Sequence, residues 1–143
     1  QTDPKSGTIV KLHELERCHP HSLAIVSDST IFLGCSTAHG PNRKPGGDMA
    51  VFDIASGKIV SYGAGWGGNG GSTLNLARGQ YYHATTNGAL VVVDVKTRQL
   101  VTKVPTWRGS RSLGVNLATN KIYVATTAKG GACGGCIVAF APE

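Results

Sequence analysis

Short apolar or alternating runs recur along the whole chain, and turn-forming residues separate them. The runs fall at 8–12, 22–26, 30–35, 49–54, 58–62, 73–77, 80–85, 89–95, 99–104, 113–117, 121–126 and 136–140. Most are rich in Val, Ile, Tyr and Phe, which suit a pleated, half-buried surface. Between them stand Ser27-Asp28-Ser29, Ser56-Gly57, Arg78-Gly79, Asn87-Gly88 and Ala118-Thr119-Asn120, all built from residues that tolerate tight turns. No stretch carries apolar residues at helical spacing, and no apolar run approaches the length of a membrane-spanning helix. The pattern predicts twelve strands and an all-β chain.

The strands come in repeating groups. Val51-Phe52-Asp53-Ile54-Ala55-Ser56-Gly57-Lys58-Ile59-Val60 matches Val92-Val93-Asp94-Val95-Lys96-Thr97-Arg98-Gln99-Leu100-Val101. A third copy starts at Val138-Ala139-Phe140 and stops at Glu143, and its second half stands at the other end of the chain as Ser6-Gly7-Thr8-Ile9-Val10. Equivalent points lie 41 residues apart from Val60 to Val101 and 50 apart from Val10 to Val60. Four-stranded units of that length are the signature of β-propeller blades, and an N-terminal strand completing the last blade is how such rings close. Twelve strands make three blades, whereas propellers carry about 4–8. The expected architecture is therefore a single half-propeller domain over 1–143, completed to six blades by a two-fold homodimer with strand closure in trans. The rival expectation is a piece of a longer propeller.

The segments Pro20-His21-Ser22-Leu23-Ala24-Ile25, Thr30-Ile31-Phe32-Leu33-Gly34-Cys35 and Met49-Ala50-Val51-Phe52-Asp53 precede Ser56-Gly57-Lys58-Ile59-Val60. Together they resemble a YVTN-type β-propeller repeat. Val104-Pro105-Thr106 and Asn120-Lys121-Ile122-Tyr123-Val124-Ala125-Thr126 carry the same resemblance, although Ala125-Thr126 follow Tyr123-Val124 in place of the Thr-Asn of the motif. The resemblance spans nearly the whole chain and implies a fold far more than an activity.

In that fold, one set of turns is short and bland, while the loops at the opposite face, 15–21, 36–47, 64–71, 105–111 and 127–135, are longer and chemically loaded. That face is expected to carry Arg17, Arg43, Lys44, Arg108, Arg111 and Lys129 against Glu16, together with His19, His21, His39, Trp66 and Trp107. His21 and Arg111 align, each directly before the Ser-Leu of an innermost strand, with Gly71 in the corresponding place between them. A ring of His, Gly and Arg at a channel mouth makes an anion pocket, because a guanidinium grips carboxylate or phosphate with two hydrogen bonds. The plain alternative is that Arg111 pairs with a carboxylate or a backbone carbonyl. Trp66 and Trp107, each six residues after Val60 or Val101, are ligand platforms or, more commonly, packing between blades. His19-Pro20-His21 puts two imidazoles on one side of an extended segment, but two ligands do not complete a metal site, so no metal and no cofactor are expected.

Charge and cysteines narrow the classes further. The net charge of +6 on 143 residues comes from scattered Lys and Arg without a basic run, so nucleic acid is not an expected partner. Nucleotide-binding glycine motifs and the G-x-S-x-G elbow are absent. The loaded face lacks the paired carboxylates of a glycosidase and the acidic cluster of a calcium site. The four cysteines are expected to pair as Cys18–Cys35, at neighbouring ends of adjacent strands, and Cys133–Cys136, a CxxC leading into a strand. With Gln1 in place of an initiator Met, the disulfides point to a secreted or periplasmic protein. The leading function is a binding module for an anionic small ligand or partner protein. The alternatives are a lyase- or isomerase-type enzyme, with His21 as acid–base catalyst and Arg111 holding the substrate, and a structural surface or assembly component.

Overall fold

The computed structural model describes residues 5–6, 11–15, 18–36, 49–63, 70–127 and 135–141, apart from the side chain of Tyr62. Eleven strands form among them: β1 (His19–Ser27), β2 (Thr30–Ser36), β3 (Met49–Asp53), β4 (Lys58–Gly63), β5 (Ser72–Asn75), β6 (Gln80–Thr85), β7 (Ala89–Asp94), β8 (Leu100–Pro105), β9 (Ser112–Asn116), β10 (Lys121–Thr126) and β11 (Cys136–Phe140). They pair in chain order into three antiparallel sheets. Sheet 1 is β1-β2-β3-β4, sheet 2 is β5-β6-β7-β8, and sheet 3 is β9-β10-β11. The first strands lie side by side, β1 against β5 and β5 against β9.

Sheet 2 is the middle layer, and its sequence says why. Along β6 the side chains alternate between two faces, and both faces are buried. Tyr81, Val91 and Val93 pack against Ala24, Phe32, Met49 and Val51 of sheet 1. Tyr82, Ala84, Leu90 and Val92 pack against Ile122 and Val124 of sheet 3. A strand covered on both sides reads as an unbroken apolar run, hence Ala89-Leu90-Val91-Val92-Val93. Each such side chain contributes roughly 1.5–3 kcal/mol through burial. Sheet 1 turns its other face, with Leu33, Cys35, Ala50 and Phe52, onto Cys18 and Leu15 of the segment leading into β1. His13 in that segment meets the Phe52 ring edge-on at 5.0 Å.

The sequence repeat is a repeat of geometry. Asp53 accepts the backbone N–H of Ser56 at 2.7 Å and its hydroxyl at 2.6 Å, while Asp94 takes the same two bonds from Thr97 at 2.6 and 2.9 Å. Those donors hold both carboxyls below the usual carboxylate range, Ser56 through its hydroxyl first and Thr97 through its N–H first. The next residue is left-handed in both turns, Gly57 at φ 69° and Arg98 at φ 60°. Glycine takes that conformation at little cost, so the Arg98 turn is held by its capping bonds instead. Both aspartates thus cap the turn that follows their strand.

Four details depart from the sequence expectation. β1 begins at His19 rather than Ser22, because a register shift between Pro20 and Ser22 lets pairing continue past the proline on an edge strand. The strand expected over 73–77 ends at Asn75, where the Asn75 side chain accepts from the Arg78 N–H and residues Leu76–Arg78 form a single 3-10 turn closed by Gly79 at φ 62°. Asn75 also donates to Asn120 Oδ1 at 2.8 Å, tying sheet 2 to the β9–β10 turn. Of the strand expected over 8–12, residues 8–10 lie outside the described residues. Lys11 and Leu12 are not in a strand, and Leu12 is exposed. Sheet 3 has three strands among the described residues, and the stretch expected to supply its fourth lies mostly outside them.

Candidate functional site

Antiparallel pairing in chain order fixes which groups share an end. His19 pairs with Ser36, Ser72 with His83, Ala89 with Pro105, and Thr126 with Cys136, so these positions all lie at one end of the sheets. His19, His21, Trp107, Arg108 and Arg111 belong to that end. The opposite end carries the described turns with Asp28, Asp53 and Asp94. Among the described residues the strand ends and turns at the His21–Arg111 end carry no Asp or Glu, and Glu14 lies in the segment leading into β1.

Direct bonds bring the starts of the three first strands together. Ser22 and Ser72 share a hydroxyl–hydroxyl hydrogen bond of 2.7 Å across 50 residues of chain. The Gly71 N–H donates to the Arg111 carbonyl, and the Gly71 carbonyl accepts from the Ala84 N–H at 3.0 Å. Gly71 is needed there, since a Cβ on it would stand 2.9 Å from the Arg111 oxygen. His21, Gly71 and Arg111 thus sit at three adjacent strand starts, in the order expected from the repeat. Both His21 and Arg111 expose their side chains.

Beneath this rim lies a polar cluster. Ser72 Oγ is 2.6 Å from the Tyr81 hydroxyl and 3.0 Å from His83 Nδ1 as well as bonded to Ser22. The Tyr81 and His83 rings stack at 6.3 Å. With three partners, the Ser72 hydroxyl has its one donor and two acceptor positions filled. Burial pushes the Tyr81 hydroxyl well above its usual range and keeps it neutral, while its bonds to Ser72 and Ser22 work the other way. The cluster fastens sheet 1 to sheet 2 and presents no unengaged hydroxyl nucleophile. The sequence pointed to His21 and Gly71, the neighbours of Ser22 and Ser72, but not to Tyr81 and His83. The available signal was the spacing of two in β6, which places His83 on the apolar face of Tyr81.

Gly34 makes room for this cluster. It pairs with Ser22, and a Cβ there would clash with Ser22 Oγ and approach His83 Cε1 to 2.8 Å. Gly34→Ala is expected to lower stability by about 1–3 kcal/mol through overpacking. Urea unfolding should show an earlier midpoint with an unchanged slope, and a midpoint equal to the parent's would refute the close fit.

The other expected site residues are placed as follows. His19 is exposed at the start of β1. The register shift at Pro20–Ser22 breaks simple alternation, so His19 and His21 do not share one side by strand geometry alone. Trp107 is half-buried, and its carbonyl accepts from the Ser110 N–H at 3.2 Å and the Ser110 hydroxyl at 2.7 Å. Arg108 is exposed, with its backbone folded over Gly88. His39, Trp66 and Cys133 lie outside the described residues, as do Glu16, Arg17, Arg43, Lys44 and Lys129. No three His, Cys, Asp or Glu side chains among the described residues gather in a metal-binding arrangement.

Cys18 and Cys35 form a disulfide, as expected, joining the segment before β1 to the end of β2. Cys136 is disulfide-bonded as well, and its partner lies outside the described residues. No helix of the described residues is long and apolar enough to cross a membrane.

No protein-family model and no curated protein sequence matches the chain. Solved structures do. A chain of Kuenenia stuttgartiensis hydrazine synthase superposes with a TM-score of 0.76 over 98% of this chain at 13% identity. A europium-containing methanol dehydrogenase matches 74% of the chain at 18% identity with a TM-score of 0.45. The chain spans 38% and 21% of those two proteins' lengths, respectively. The first likeness is one of fold.

Proposed function

We propose that the chain forms three blades of a YVTN-type β-propeller, two chains to a six-bladed ring, and that the His21–Arg111 end is a mouth that binds an anion. One observation carries this reading: among the described residues, the strand ends and turns at this mouth bring His19, His21, Arg108 and Arg111 and no carboxylate, whereas the far-end turns mix Asp28, Asp53 and Asp94 with Arg78, Lys96 and Arg98. Arg111 is held by its backbone through Gly71, which leaves its guanidinium exposed at the rim. A guanidinium and an imidazole on one rim, with Gly71 between them, suit a phosphate or carboxylate group, and a mouth rim without carboxylates also draws such ligands in. The disulfides at Cys18–Cys35 and Cys136 support an oxidising compartment, in keeping with a secreted or periplasmic binding module.

Titration calorimetry with inorganic phosphate and with citrate tests the reading. Arg111→Ala is expected to weaken binding roughly tenfold or more, the scale of one charge-assisted hydrogen-bond pair. Raised salt should weaken the parent's binding in the same direction. Equal affinities in the parent, Arg111→Ala and His21→Ala would overturn it.

A further inference from the structure

We infer that the end of the sheets opposite the mouth is an attachment surface for an anionic lipid bilayer. Three described turns of sheets 2 and 3 build it, at 76–79, 95–98 and 117–120. The first and the third are made alike. Asn75-Leu76-Ala77 and Asn116-Leu117-Ala118 stand 41 residues apart, the spacing of the repeat. In each, the asparagine side chain caps the turn. Asn75 Oδ1 accepts the Arg78 N–H at 3.3 Å, and Asn116 Oδ1 accepts the N–H groups of Ala118 at 3.0 Å and Thr119 at 3.1 Å. A left-handed residue closes each one, Gly79 at φ 62° and Asn120 at φ 56°. The leucine that follows each asparagine is held out in solvent, Leu76 59% exposed and Leu117 65% exposed, with an exposed alanine beside it. Neither leucine belongs to a cluster of the core, so burial within the chain does not account for them.

Hydrogen bonds join the three turns into one surface. Asn75 Nδ2 donates to Asn120 Oδ1 at 2.8 Å, and the Val95 N–H donates to the Gly79 carbonyl at 2.9 Å. The two apolar tips therefore project from turns that are fixed to one another. These turns and the residues that flank them carry Arg78, Lys96, Arg98 and Lys121, all exposed, against one carboxylate, Asp94. Asp94 is itself engaged with the N–H and hydroxyl of Thr97.

Apolar tips among Lys and Arg suit an anionic bilayer. The leucines enter the acyl boundary, while the cations, on long apolar stems, lie among the phosphate headgroups. A protein partner fits this surface less well. Interface cores are rich in aromatic residues and poor in lysine, whereas these turns hold no Trp, Tyr or Phe. The His21–Arg111 mouth is at the other end of the strands, so attachment and anion binding do not compete for one surface.

Co-sedimentation of the whole chain with vesicles, in buffer free of phosphate, tests this. Vesicles of equal parts phosphatidylglycerol and phosphatidylcholine are expected to bind the chain roughly tenfold or more tightly than vesicles of phosphatidylcholine alone. Leu76→Asp/Leu117→Asp should lower binding to the anionic vesicles by roughly tenfold or more, because both tips lose the acyl boundary. Both side chains are exposed, so the fold should be kept, and Leu76→Ala/Leu117→Ala should weaken binding without adding charge. Lys96→Gln/Lys121→Gln should weaken it too and flatten its dependence on salt. Arg111→Ala should sediment as the parent does. A chain that does not sediment with the anionic vesicles would leave the leucines to a protein partner and overturn the proposal. So would equal binding to both kinds of vesicle, or leucine variants that bind as the parent does. Loss of vesicle binding in Arg111→Ala would place the lipid phosphate at the mouth and overturn it as well.

Discussion

Replacing Tyr81 by Ala is expected to cost about 3–5 kcal/mol, enough to remove much of a domain's stability. Tyr81 is fully buried, its ring meets Phe32 edge-on at 5.2 Å, and its hydroxyl bonds Ser72 at 2.6 Å. Truncation therefore opens a cavity between sheets 1 and 2 and strips the Ser72 cluster at once. Tyr81→Phe separates the two effects. It keeps the ring and gives up one hydrogen bond, for about 1 kcal/mol. The two variants also differ in alkali. Burial raises the folded-state pKa of Tyr81 above the ordinary value of about 10. Its contribution is thus complete below pH 10 and is lost as pH rises above that, because the unfolded chain ionises first. Denaturant midpoints at pH 7 and pH 11 should converge between the parent and Tyr81→Phe as the pH rises. If the gap between them is the same at both values, the buried neutral hydroxyl has been misassigned.

What the sequence shows of this fold follows from how many neighbours each strand has. β10, Lys121-Ile122-Tyr123-Val124-Ala125-Thr126, alternates because one face packs on sheet 2 and the other does not, and Ile122 and Val124 are buried where Tyr123 is exposed. β7 is apolar throughout because both its faces are covered. The Asp53 and Asp94 turns are legible because their capping partner lies three residues away. Of residues 8–12, which carry the same pattern as any strand, only Lys11 and Leu12 are described, and they lie outside a strand with Leu12 exposed. Asn75 and Asn120 read as ordinary turn residues, and only the approach of two sheets turns them into a bonded pair. At the candidate site the basic bias was legible from composition, and the alignment of His21, Gly71 and Arg111 from the repeat. The role of His83 was not, because its bond to Ser72 runs across strands that only folding brings into register.

The second large effect is expected from the Cys18–Cys35 bridge. It closes a loop with a sequence separation of 17, for which the loss of unfolded-state freedom contributes about 3 kcal/mol. In a chain of this size that corresponds to a melting temperature lower by roughly 10 °C. The double variant Cys18→Ala/Cys35→Ala isolates this bridge, whereas a reductant also opens the one at Cys136. Both sulfurs are buried among Leu33, Ala50 and Phe52, so alanines leave no unsatisfied polar group behind. The bridge also pins the start of β1 beside the end of β2, next to His19 and His21. Its removal should therefore loosen the mouth as well as the fold, and phosphate affinity measured well below the melting temperature should fall with it. A double variant that melts within about 2 °C of the parent would show that the β1–β2 pairing, with Leu15 and Phe52 packed over it, holds this corner without the covalent link.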